Sequence, residues 1–208
     1  MRARSAIYFS NIKVELREVL LRDKPQEMLN ISSKGTVPVL KLKEKVIDES
    51  IDIMLWALNI EDTNNLLNPY NKDKEFFLNL IYKFDQSFKY HLDRYKYSNR
   101  YLNDCLYEGK EEHKEKALFY LKELQIILKE NHSKYLYNNR LSILDLAIFP
   151  LVRQFKIADH IFFENTNEIN LVKIWLENLV NSIFFKNIMY KYEVWKLNNN
   201  PVFFEKSL

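Results

Sequence analysis

Two adjacent polar residues, Glu49 and Ser50, stand where an apolar helical pattern begins, with Ile51, Met54, Leu55 and Leu58 recurring behind them. The first N–H groups of a helix have no partner within it, and the macrodipole adds partial positive charge there. Together with a serine hydroxyl they can hold a carboxylate. A glutamate beside them can hold an ammonium. One carboxylate and one ammonium in that arrangement describe the two charged ends of an α-amino acid, which makes this junction a candidate binding site. A second anomaly lies upstream: Val37-Pro38-Val39 reads as buried strand, yet proline supplies no ladder N–H and is normally kept to strand edges, starts and bulges. It suggests a special backbone geometry such as a cis peptide, which aims neighbouring peptide groups outward.

The elements that must position these groups can be read around them. After Lys34-Gly35-Thr36 and the proline, an apolar run reaches Leu42, Lys43-Glu44 makes a charged turn, Val46-Ile47 forms a short strand, and Asp48-Glu49-Ser50 opens the helix. Upstream, Met1 to Asn11 reads as a helix with Ala3, Ala6 and Ile7 on one side. It has no cap, and Arg2 and Arg4 are the wrong sign for the positive end of its dipole. Lys13 to Leu21 alternates Val14, Leu16, Val19 and Leu21 with charged residues, as a strand does. Asp23-Lys24-Pro25-Gln26-Glu27 starts a further helix leading into Met28, Leu29 and Ile31.

The order Val-Pro, strand, turn, strand, Glu-Ser, helix resembles the glutathione-binding half of the glutathione transferase family, in its thioredoxin-like domain. The same parts also fit a plain β-hairpin followed by a capped helix. The resemblance implies binding residues by their place in the motif: Val37 would offer its backbone N–H and C=O to the cysteinyl unit of glutathione next to Pro38, and Glu49 and Ser50 would hold the γ-glutamyl end. Lys24 would meet the glycine carboxylate, with Lys34 a second candidate for that role. Glutathione is then the co-substrate, without a metal, and a small electrophile or disulfide is the partner substrate. The family is usually dimeric, so a homodimer is expected.

Family members normally open with a strand and a turn carrying the Cys, Ser or Tyr that works on the glutathione thiol. Omega-like and related bacterial members carry a Cys-Pro-x-x turn before a helix start much like Met1-Arg2-Ala3-Arg4. Here the helix start is residue 1, so the resemblance implies a thioredoxin-like domain lacking its first strand and a chain with no catalytic residue of its own. Two accounts fit, an internal methionine taken as a start or a truncated homologue. Either leaves the strand at Val14 without a neighbour on the expected side, its polar groups left for water or another chain. The chain as written is then weakly active or inactive as a transferase or thiol reductase. A non-catalytic binding protein on the same two domains is the alternative.

Composition sets outer limits. The 208 residues are 47% hydrophobic, enough for one large domain or two smaller ones. A net charge of +3 supplies no basic face for nucleic acid, and no apolar run is long enough to span a bilayer. The single Cys105 permits no internal disulfide and fits a reducing compartment; the chain reads as cytoplasmic. Only Gly35 and Gly109 occur, which excludes a P-loop and a Rossmann fingerprint. His91, His113, His132 and His160 are scattered singly, without metal-ligand spacing.

The second half reads as all helical. A polar linker over 61–72 separates a domain of residues 1–60 from a helical domain of 73–208. One helix carries Phe76, Phe77, Leu80, Ile81, Phe84 and Phe88, and another runs from Ala117 to Leu128. Tyr90 to Tyr101 interleaves aromatics with Arg94, Lys96 and Arg100, which fits a nucleic-acid stacking surface or, more simply, packing. Ser142 and Asp145 form a Ser-x-x-Asp capping box before a helix that is apolar nearly all round, a second mark of the glutathione transferases whose role is folding. Helices over Ile169 to Leu179 and Phe184 to Trp195 close the bundle.

Overall fold

The computed structural model describes residues 1–205. They form two compact units, Met1–Leu67 together with the stretch from Ser182 onward, and Asn68–Asn181. The chain thus leaves the first unit at Leu67 and rejoins it at Ser182.

The first unit begins with α1 (Arg2–Phe9), uncapped at its start, which buries Ala3, Ser5, Ala6, Ile7 and Tyr8. Asn11, at φ 52°, turns the chain out of it. Strand β1 is only Val14–Glu15, far shorter than the expected Lys13 to Leu21. Helix α2 (Gln26–Ile31) leads to Gly35, whose φ of +57° suits glycine and where an added Cβ would stand 3.3 Å from Leu29 Cδ2. A hairpin of β2 (Leu40–Lys41) and β3 (Val46–Ile47) pairs Leu40 with Ile47 and closes with Leu42 N–H on the Lys45 carbonyl at 2.8 Å, around the expected Lys43-Glu44 turn. Helix α3 (Ser50–Ile60) then packs against α1. Its buried stripe is Ile53, Met54, Ala57 and Leu58, rotated from the expected face, since Ala57, weakly apolar by type, is buried while Ile51 and Leu55 stay half-buried. Burying Ile53, Met54 and Leu58 stabilises this pairing by about 1.5–3 kcal/mol each.

The second unit is helical: α4 (Asn68–Lys72), α5 (Lys74–Tyr82), α6 (Lys89–Lys96), α7 (Lys110–Glu130), α8 (Ile143–Ala158), α9 (His160–Asn165) and α10 (Asn170–Val180). A π-helical turn, Lys83–Phe88, joins α5 to α6 and buries Phe84 and Phe88. The capping box forms at the start of α8. Asp145 is fully buried and accepts four hydrogen bonds, from Leu136 N–H at 2.9 Å, Ser142 N–H at 2.9 Å, Ser142 Oγ–H at 2.8 Å and Trp175 Nε1–H at 2.8 Å. The box therefore also ties α8 to α10. Two of the scattered histidines meet, since α6 lies along α7 and sets His91 Nδ1 2.8 Å from His113 Nδ1. Tyr107 stacks on the buried His113 ring at 5.4 Å, and burial holds both imidazoles below their ordinary pKa. Among the described residues no helix is long and apolar enough to cross a membrane.

The chain returns to the first unit through α11 (Ile183–Ile188), which packs on α1 and ends well before the expected Trp195. Beyond α11 the described chain pairs with β1 and with the stretch that follows it. Strand β4 (Phe203–Phe204) runs antiparallel to β1, with Val14 opposite Phe204, and Leu16 N–H reaches the Val202 carbonyl at 2.7 Å. Trp195 N–H reaches the Glu18 carbonyl at 2.8 Å. Side chains close over the pairing: Lys13 Nζ stands 4.7 Å from the Phe203 ring centroid and Arg17 Cζ 4.6 Å from that of Trp195. The expectation that Val14 would need water or another chain is thus corrected by a segment of this same chain.

Candidate functional site

Helix α3 starts at Ser50, with Glu49 as its N-cap residue and no side chain of the cap bonded to the first amides. The Glu-Ser pair therefore stands at a helix N-terminus, as its spacing predicted. Glu49 is exposed and Ser50 half-buried. The peptide bond between Val37 and Pro38 is cis. Val37 itself is 47% exposed, where a buried strand residue was expected, because the strand proper begins only at Leu40. Among the described residues no hydrogen bond reaches its peptide groups, which leaves one donor and one acceptor for an extended ligand.

The loop carrying that proline is joined to the helix start by charge. Lys34 Nζ donates to Glu49 Oε1 at 2.6 Å and to Asp48 Oδ1 at 3.1 Å, and Ser32 Oγ–H donates to Asp48 Oδ2 at 2.9 Å. The Ser32 hydroxyl and then the Lys34 ammonium hold the Asp48 carboxyl below its usual range; the Glu49 and Asp48 carboxylates in turn push Lys34 up. Lys34, the second candidate for a ligand carboxylate, has its ammonium on Glu49 and Asp48. Lys24 lies near Gly35, its Nζ 3.8 Å from where a Cβ there would sit, and is exposed.

Three neighbours escaped the sequence reading. Asp48 and Ser32 anchor the loop, and Asp48 was legible only as the residue before Glu49. Arg2, in the first turn of α1, reaches Ser50 Oγ through Nη1 at 3.5 Å. The signal for it was present, since an arginine at the positive end of a helix needs a reason to be there. Arg4 has a different task, donating to Glu18 Oε2 at 2.5 Å and to the Ile188 carbonyl at 3.3 Å and so fixing the C-terminal segment. Cys105, exposed, belongs to the second unit.

A mixed α/β unit with a cis-proline loop beside a Glu-Ser helix start, followed by a helical unit with a buried Ser-x-x-Asp box, defines a two-part transferase fold. Residues 1–65 match the model of the glutathione S-transferase N-terminal domain and residues 98–181 that of the C-terminal domain. The chain belongs to the glutathione S-transferase family. Solved structures agree on the fold. Glutathione transferase Omega 3C from Trametes versicolor aligns with a TM-score of 0.70 at 19% identity, over 93% of this chain and 85% of that one. The glutathione S-transferase from Xylella fastidiosa aligns at 0.74 and 15% identity, over 90% and 91%. A class Gtt2 enzyme of Vibrio parahaemolyticus aligns at 0.64 and 18%, over 90% and 93%. Comparison with curated proteins gives no match.

Proposed function

We propose that the chain binds glutathione at the junction of the cis-proline loop and α3, and presents its thiol to a small electrophile or a mixed disulfide. The observation that carries this is the Glu49-Ser50 pair at an uncapped helix start, with the Val37 loop fastened to it through Lys34. Ser50 and the first amides of α3 take the γ-glutamyl carboxylate, Glu49 takes the ammonium, and Val37 pairs with the cysteinyl backbone beside Pro38. Lys24 meets the glycine carboxylate. Glutathione is the co-substrate.

Attack of the bound thiolate on an electrophilic carbon forms the thioether and expels the leaving group; attack on a mixed disulfide forms glutathione disulfide and releases the other thiol. The second reading is binding without catalysis, supported by the place of Cys105, the single cysteine, in the second unit. Conjugation of a generic aryl halide and reduction of a mixed disulfide, assayed beside equilibrium glutathione binding, separate the two. Saturable binding with turnover supports the transferase, and binding without turnover supports the second reading. No binding at millimolar glutathione refutes both. The proposal takes the working form as a cytoplasmic homodimer, which sedimentation of the purified chain checks.

A further inference from the structure

The two histidines that meet between α6 and α7 form a group the glutathione reading does not use. Their Nδ1 atoms stand 2.8 Å apart, a distance that requires a proton on one nitrogen and a lone pair on the other. His91 is half-buried and His113 fully buried. Because His113 Nε2 has no hydrogen-bond partner among the described residues, the contact with His91 is the polar anchor of that ring.

Such a pair tolerates one added proton and resists a second. An imidazolium at His91 still donates its Nδ1–H to neutral His113. A further proton on His113 puts N–H groups on both facing nitrogens and leaves both donors of a buried ring unsatisfied. The charged groups that face the pair are already matched to one another. From α6, Arg94 reaches Asp104 at 2.7 Å; Glu108, in the segment between the helices, accepts from Lys116 of α7 at 2.5 Å; and Glu112 of α7 lies 3.5 Å from the same lysine. The rings of Tyr90 and Tyr107 on His113, and of Tyr120 on His91, supply the remaining neighbours. His113 also stands in the first turn of α7, where the helix dipole opposes positive charge, and that helix start has no side-chain cap to hold it independently.

We propose that His91 and His113 form a proton-operated latch, in which the second proton parts the rings and frees the start of α7 with the segment over 97–109 that leads into it, while the rest of the bundle stays folded. Tyr107, stacked on the His113 ring, leaves with that segment. The nearby carboxylates do not work the latch. The Leu106 N–H and Arg94 hold Asp104 below the usual carboxylate range, and Lys116 does the same for Glu108, so both stay ionised down to pH 5.

The test is NMR on the whole chain from pH 7.5 to 5, following the imidazole signals together with amide exchange expressed as protection relative to the unfolded chain. Protection of Tyr107 N–H, on the Asp104 carbonyl, and of His113 N–H, on the Gly109 carbonyl, should persist while the first histidine titrates. It should then fall about tenfold per pH unit as the second does, the linkage of one proton to one opening. Leu146 N–H, at the start of α8, should keep its protection. His113→Phe keeps a ring under Tyr107 and takes up no proton, so its protection should be flat with pH. His91→Gln, at the half-buried position, offers an oxygen that accepts Nδ1–H even from a charged His113, so the fall should shrink. Urea midpoints at pH 7.5 show which variants are folded. A wild-type decline that is absent, that accompanies the first proton, or that extends equally to Leu146 overturns the proposal, as does an undiminished decline in either folded variant.

Discussion

Removing the Asp145 carboxylate is the sharpest perturbation of the fold. In Asp145→Ala, Trp175 Nε1–H, Leu136 N–H, Ser142 N–H and the Ser142 hydroxyl lose their acceptor in a buried place. Each orphaned buried donor costs about 1–3 kcal/mol. Part of that sum is offset because the carboxylate was itself expensive to bury: burial pushes its pKa up, against the pull of its four donors. The expected net loss is about 3–5 kcal/mol, the range for breaking a satisfied buried charge. An ordinary N-cap replacement, which Ser142→Ala represents, costs about 1 kcal/mol. Urea unfolding at neutral pH, followed by fluorescence of Trp175 and the other tryptophans, measures both variants. An Asp145→Ala loss no larger than that of Ser142→Ala, at equal m-value, would refute the claim that this carboxylate holds α8 to α10 rather than merely capping one helix.

Other outcomes rest on the same geometry. The folded pKa values of His91 and His113 lie below the ordinary 6.5, so the unfolded chain protonates first on acidification and binds more protons there. Their neutral forms support the fold above about pH 6.5, and that support is lost as the pH falls; stability measured from pH 7.5 to 5 should decline less steeply in His113→Phe than in wild type, and identical slopes would contradict it. Phe204 is buried opposite Val14, so Phe204→Ala should cost about 3–5 kcal/mol and speed hydrogen exchange at Leu16 N–H, whose acceptor is Val202. Unaltered Leu16 protection would mean that β1 does not depend on the C-terminal segment. Lys34→Met should release Glu49 and Asp48 from their shared cation and leave the urea midpoint almost unchanged, because the pair is exposed; a large fall in the midpoint would contradict this.

What could be read in the sequence was local. The Ser142-Asp145 box, the Lys43-Glu44 turn, the unusual proline and the helix start at Ser50 each depend on residues a few positions apart, whose backbone geometry is set by their types. The cross-links were not legible. His91 and His113 are 22 residues apart and meet only because α6 lies along α7; Arg2 and Ser50 are separated by 48 positions. The strand at Val14 looked longer than it is because its alternating pattern continues to Leu21, whereas pairing is supplied by a polar C-terminal stretch that meets it at β4 and Trp195. Asn198-Asn199-Asn200-Pro201 carries no periodic signal of that pairing. Lys34 read as a ligand cation because a lysine near the loop fits that role, but two carboxylates within reach compete for it.

The central claim is that the start of α3 holds the two charged ends of a γ-glutamyl group. Calorimetric titration of glutathione into wild type, Glu49→Ala and Ser50→Ala tests it most directly. Each variant should lose about 1–3 kcal/mol of binding free energy, the worth of a hydrogen bond to a charged group. Wild-type affinity in both variants would contradict the assignment.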